Sequence, residues 1–268
     1  MKKISIKIIL SLLLALALFC GCSALPTTVA SSRDESKVIT VGCDTYAPFS
    51  YLDADGQPTG IDVELATEAF HRMGYEPEFV FINWEEKKSL LENGEIDCIW
   101  SSYTMNGRED EYQWAGPYMK SSQVVAVNVD SDIYTLSDLA GKTIAVQSTT
   151  KPEDILRSHD SRIPALRKVI SVQKRDLIFI LLSKGYVDAL AAHDTSINEF
   201  SKETGLKFRV LDEPLMSVGL GVAFANNDTR GLNTQLTETL HEMQQEGITQ
   251  KILEKYLPDA ERYLEDEK

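Results

Sequence analysis

Three features of the sequence predict an α/β fold made of two similar lobes. Strand and helix signals alternate from Val38 onward, the same signals start again near Lys142, and two strand-like segments are placed to cross between the runs. The 268 residues are 43% hydrophobic and 25% charged, with a formal charge of −14. That is enough chain for one large domain or two small ones, each with a buried core. The acidic balance excludes a protein that tracks nucleic-acid phosphates, which needs a basic surface. Four cysteines are too few for a disulfide scaffold.

Val38–Cys43 reads as the first strand, and it runs into Asp44-Thr45-Tyr46-Ala47-Pro48-Phe49. Gly60-Ile61-Asp62 opens a helix with Ile61, Leu65, Ala69 and Met73 at helical spacing, closed by Gly74. Residues 78–82 form a strand, 85–93 a helix stopped by Gly94, and 96–100 a further strand. This βαβαβ order implies a parallel sheet covered on both faces. Lys142–Val146 echoes the first strand. Leu181–Leu190 echoes Leu90–Ile99, each a helix end, a glycine, a turn and a buried strand. Gln123–Asn128 and Ser217–Ala225 are the crossing segments, followed by helices near 234–245 and 249–256. Cys43 and Cys98 fall inside apolar strands and read as buried thiols.

In open α/β sheets ligands sit beyond the carboxyl ends of the strands. Here those ends are Asp44–Phe49 and Ser101–Thr104 in one lobe, and Gln147–Thr150 and His193-Asp194 in the other. If the lobes face each other, the four segments meet in one cleft.

The amino terminus reads separately. Lys2, Lys3 and Lys7 precede an apolar run from Ile8 to Phe19, the pattern of a secretory signal peptide. The run ends in Cys20-Gly21-Cys22, which resembles a bacterial lipobox, and Cys22 is the expected lipidated first residue of the mature chain. A plain signal peptide is the alternative. Its removal takes three of the 27 basic residues and none of the 41 acidic ones, leaving −17. Residues 22–37, rich in Ser and Thr and without periodicity, read as a flexible tether. The expected organisation is signal peptide 1–21, tether 22–37, lobe one 38–122, lobe two 123–218, and a return to lobe one over 219–268.

From about Val38 to Leu257 the sequence resembles the bacterial extracellular solute-binding proteins of family 3, the polar amino-acid receptors of ABC importers. The resemblance is carried by Tyr46-Ala47-Pro48-Phe49, Gly60-Ile61-Asp62, Gly94-Glu95-Ile96-Asp97, Gly107-Arg108-Glu109, the Gly116-Pro117-Tyr118 turn, Leu139-Ala140-Gly141-Lys142 and His193-Asp194. It implies the two-lobed type II periplasmic-binding-protein fold, hinged by two crossing strands and closing on one free L-amino acid. By the same resemblance, Arg108 meets the ligand α-carboxylate with help from Thr104 and Thr150, Ser102 accepts from the ammonium, and Asp194 is its counter-charge. Guanidinium suits a carboxylate because it offers two parallel donors. The chain has one residue fewer than some family members between Ser102 and Arg108.

Tyr46, Phe49 and Trp84 are expected to cover the ligand's sides, and each is alternatively a core residue. Asp44, Tyr103 and Gln147 are expected around the ligand side chain, where Asp44 favours a cationic or amide group. Ser148, Thr149 and His193 complete the candidate set. Ser148-Thr149-Thr150 precedes a helix start at Pro152-Glu153-Asp154, where free N–H groups favour an anion; capping by Thr149 or Thr150 is compatible with that. Asp194 alternatively caps the helix that follows it.

The expected partners are the free amino acid, an ABC permease and, through the anchor, the membrane. No cofactor, metal or nucleic acid is expected, and the chain is expected to be monomeric. Two competing readings are an enzyme on the same scaffold, of the cyclohexadienyl or arogenate dehydratase kind, with His193 and Asp194 recruited for proton transfer, and a sensing module for a signalling partner. The sequence has no metal-spaced His/Cys cluster, nucleophile elbow or phosphate-binding glycine loop.

Overall fold

The computed structural model describes residues 37–158 and 160–265. The signal peptide, Cys22 and all but the last residue of the tether lie outside the described residues.

In the first half, β1 (Lys37–Cys43) pairs in parallel with β4 (Tyr75–Phe81) and with β5 (Cys98–Thr104). A short hairpin, β2 (Tyr51–Leu52) and β3 (Pro58–Thr59), leads into α1 (Ile61–Arg72). Ile61, Leu65, Ala69 and Phe70 of α1 are fully buried, as the helical spacing requires. The helix predicted over 85–93 is divided into a 3₁₀ turn at Trp84–Glu86 and α2 (Lys87–Glu92).

In the second half, β7 (Thr143–Gln147) pairs in parallel with β8 (Lys168–Val172) and β9 (Ala189–His193). The helices are α3 (Lys151–Arg157), α4 (Asp176–Ser183) and α5 (Asp194–Thr204). A short strand, β10 (Phe208–Val210), pairs with the end of β6 (Gln113–Asn128).

The repeat read from the sequence holds down to single hydrogen bonds. Asp97 donates its N–H to the Thr40 carbonyl at 2.9 Å, and its carboxylate accepts the Thr40 N–H at 2.8 Å. Asp188 does the same with Thr143, at 2.8 and 2.6 Å. Gly94 and Gly185 sit at φ 73° and 70°, the left-handed conformation that stops a helix at glycine.

Two strands run through both halves. β11 (Met216–Phe224) lies antiparallel between β5 and β6, giving the order β4-β1-β5-β11-β6-β9-β7-β8. β6 has 16 residues, far longer than the predicted 123–128 segment. The Gly116-Pro117-Tyr118 turn of the sequence reading is a correction: these residues lie inside β6. The strand pairing slips there, from Leu220 opposite Met119 to Val222 opposite Ala115. A bulge accepts a proline that a regular ladder would reject. The chain then closes with α6 (Leu232–Gln245), α7 (Ile248–Leu253) and a 3₁₀ turn at Ala260–Tyr263.

Side-chain alternation explains the layers. Val125, Val127, Ile144 and Val146 pack on one face of the second-half sheet with Ile155 of α3. Val124, Ala126, Ala145 and Leu190 pack on the other, with Phe179 of α4 and Ile197 of α5. The first-half core joins Ile39, Phe70 and Trp100 to Phe224, Leu236, Leu253 and Tyr263 from the end of the chain. Cys43 and Cys98 are free buried thiols, and burial pushes both well above the usual thiol range.

Candidate functional site

A cleft forms where β5, β7 and β9 end, with the residues after β1 standing behind it. From the first half it is lined by Trp84, Ser101–Thr104 and Arg108, and by Gln123 of β6. From the second half come Gln147, Thr149–Pro152, Arg175 and Ala191–His193. Its free volume is about 20 Å³.

Arg108 reaches the cleft because a tight turn redirects the chain after β5. The Arg108 N–H donates to the Met105 carbonyl at 2.9 Å, and Gly107 takes φ 72°. The guanidinium lies 5.0 Å above the Tyr103 ring. Its Nη1 donates to the Thr104 carbonyl at 3.4 Å and its Nη2 to Asp154 of α3 at 3.1 Å. Arg108 is buried, whereas the Asp154 side chain is 53% exposed.

Ser102 holds a left-handed backbone, φ 49°, at the end of β5. Asp62, in the first turn of α1, stabilises that conformation by accepting the Ser102 N–H at 2.6 Å and the Tyr118 hydroxyl at 2.7 Å. Burial raises the Asp62 pKa to about 7 against these two bonds. His193 is buried against Ser121 Oγ (2.8 Å from Nδ1) and Gln123 Nε2 (2.7 Å from Nε2). Burial, then the nearby Arg175 charge, lower its pKa to about 3, so it is neutral at physiological pH.

These two groups act oppositely on stability. With its folded pKa raised, Asp62 keeps a proton that the unfolded chain loses, so its contribution grows as pH falls from about 7 toward 4. With its folded pKa depressed, His193 loses stability as pH falls from about 6.5 toward 3. Asp62→Asn leaves only the second effect. Its unfolding midpoint is expected to drop more steeply than the parent's between pH 6.5 and 4.5, read by thermal denaturation; parallel profiles would contradict the assignment.

Bonds between the halves draw the cleft shut. Lys87 Nζ donates to Thr149 Oγ1 at 2.8 Å and to the Thr149 and Trp84 carbonyls at 3.2 and 3.1 Å. Burial, then the Arg108 charge, lower the Lys87 pKa to about 8. Asp44 accepts from Gln147 Nε2 at 2.8 Å and from Arg175 Nη2 at 3.2 Å. Gln123 Nε2 donates to Thr104 Oγ1 at 3.3 Å. Thr150 precedes α3, but its hydroxyl donates to the Gln147 carbonyl at 2.6 Å and makes no cap bond.

Of the residues singled out from sequence, Arg108, Ser102, Tyr103, Thr104, Trp84, Gln147, Thr149, Thr150 and His193 line the cleft together. Asp44 stands one layer behind, touching Gln147 and Arg175. Ser148 turns to Glu85, donating at 2.7 Å. Tyr46 and Phe49 lie behind His193, each with ring centroids 6.1 Å from its ring, and both belong to the first-half core. The structure does not bring Asp194 to the cleft. It is the first residue of α5 rather than its cap, and its carboxylate accepts the Thr195 N–H at 2.9 Å and the Tyr263 hydroxyl at 3.3 Å. It lines a separate cavity with Arg262 and Tyr263.

Sequence reading missed Arg175, Gln123, Lys87 and Lys151, and placed Ser101 only within a strand-end segment without a role. Arg175 follows β8, a strand end left out of the four considered. Its guanidinium lies 3.2 Å over the Tyr46 ring.

Comparison with known proteins agrees with this architecture. A putative amino-acid ABC transporter-binding protein of Vibrio harveyi is 30% identical over 237 residues, 87% of this chain and 92% of the relative. The histidine-binding periplasmic protein of Escherichia coli (strain K12) is 28% identical over 260 residues, covering 93% and 96%. A substrate-binding protein of an ABC uptake transporter from Streptococcus pneumoniae, solved with bound histidine, superposes with a TM-score of 0.78 at 26% identity, over 84% of this chain and 94% of that one. The model of the bacterial extracellular solute-binding proteins, family 3, matches residues 39–259. The chain therefore belongs to family 3 of the bacterial extracellular solute-binding proteins.

Proposed function

We propose that the protein is an extracytoplasmic receptor that binds one free amino acid between its lobes and delivers it to the permease of an ABC importer. The observation that carries this reading is Arg108: a buried guanidinium at the end of β5, ringed by Thr104 and Tyr103, facing strand ends of the second half. A buried charge is costly without a partner, and Asp154, half in solvent, leaves part of the fork for a ligand carboxylate. No chemistry is needed: binding energy shifts the lobes toward the closed arrangement. We assign the lobes as 38–122, 123–218 and 219–268. None of the described helices is long and apolar enough to cross a membrane. Attachment is assigned to lipid on Cys22 after removal of residues 1–21, with the receptor acting as a monomer.

The test is a thermal-shift screen of the purified chain against the twenty amino acids. A native-state ligand at 100 times its Kd adds about 2.7 kcal/mol, so at least one amino acid is expected to raise the melting temperature by several degrees. No shift with any of them would overturn the receptor reading.

A further inference from the structure

Charge in the cleft is one-sided. Three cationic side chains line it, Arg108, Lys151 and Arg175, and no lining side chain is a carboxylate. The site expected to counter an ammonium is occupied by neutral His193, while Asp194 is turned away and bonded to Tyr263. Among the described residues, the acids paired with the lining arginines stand behind or outside them: Asp154 on Arg108 and Asp44 on Arg175.

Five buried polar atoms of lining side chains have no hydrogen-bond partner: Trp84 Nε1, Ser102 Oγ, Gln123 Oε1, Gln147 Oε1 and Arg175 Nε. Arg175 decides the chemistry. Its side chain is 8% exposed, one Nη2 bond to Asp44 is its hydrogen bond to an acid, and Asp44 also serves Gln147. The Nε edge of a guanidinium is a donor fork that fits a planar anion.

We propose that Arg175 takes a second carboxylate, so that the receptor selects dicarboxylic acids of amino-acid size over neutral and cationic amino acids. This rests on the receptor reading and adds its ligand class. Arg108 holds one carboxylate from the first lobe and Arg175 the other from the second, and the ligand thereby ties the lobes together. Asp44 competes for Arg175 and sets how tightly the anion is held. The neutral acceptors, Gln123 Oε1 and Gln147 Oε1, suit an amino group without supplying a counter-charge.

Isothermal titration of the purified chain with L-glutamate, L-aspartate, L-glutamine, L-asparagine, glutarate, succinate and L-arginine tests this. One of the dicarboxylates is expected to bind at least 30-fold more tightly than its amide counterpart and than arginine. Either order of glutamate and glutarate supports the proposal, and the order says whether the amino group is read. Arg175→Gln is expected to weaken the dicarboxylate about 30-fold and the amide less than threefold. Asp44→Asn, which removes the competing charge and keeps an acceptor for Gln147, is expected to tighten the dicarboxylate several-fold; this opposite sign separates the effect from loss of folding. If glutamine or arginine binds as tightly as every dicarboxylate, or Arg175→Gln keeps the preference, the ligand class is wrong while the receptor reading stands. If nothing in the series binds, the ligand class fails; the receptor reading falls with it only if the twenty-amino-acid screen is also blank.

Discussion

Arg108→Ala is expected to abolish measurable ligand binding while the fold survives. Truncating one partner of a buried, hydrogen-bonded charge pair costs about 2–5 kcal/mol, roughly 30-fold to several-thousand-fold in affinity. The fold is spared because the partner left behind, Asp154, is 53% exposed and is solvated once the arginine is gone. Isothermal titration and the ligand-free melting temperature check the two halves of the statement. Retained affinity would remove Arg108 from the carboxylate site; a collapsed melting temperature would make it a structural residue.

Phe49→Ala is expected to give the largest loss of stability of any single change named here, about 3–5 kcal/mol. Phe49 is fully buried. It packs with Tyr46 at a ring-centroid distance of 5.1 Å, in the core that also holds Ile39, Phe70 and Trp100. For a folded body of this size, such a loss lowers the melting temperature by about 10 °C. Ligand affinity of the molecules that remain folded is expected to change less than tenfold, because the ring supports His193 and does not line the cleft. A small stability loss with a large affinity loss would return Phe49 to the pocket wall, where the sequence alone also allowed it.

The contrast between these residues shows what a sequence makes legible. Strand and helix order was readable because alternation and glycine stops are local signals, and the Asp97 and Asp188 units match bond for bond. The extent of β6 was not, because a Gly-Pro pair ordinarily marks a turn and only the partner strand β11 shows that a bulge absorbs it. Arg108 was readable only through the family resemblance, since an arginine followed by Glu and Asp reads by itself as an ordinary surface residue. His193 and Asp194 were readable as a pair but not individually. One residue along, at a strand-to-helix junction, the side chain turns to another side, so His193 enters the cleft and Asp194 leaves it. Arg175 carries no local mark that separates it from Lys174 beside it. Only packing distinguishes them, the first buried on Tyr46 and the second exposed.

The small free volume of the cleft has a kinetic consequence. About 20 Å³ admits a single water molecule and no amino acid. An amino acid held here as proposed would need the two walls to part before it enters or leaves, so exchange is expected to be paced by a first-order separation of the walls. Observed association rates should level off at high ligand concentration, and the lifetime of the complex should track how often the walls part rather than how strongly any one contact is made.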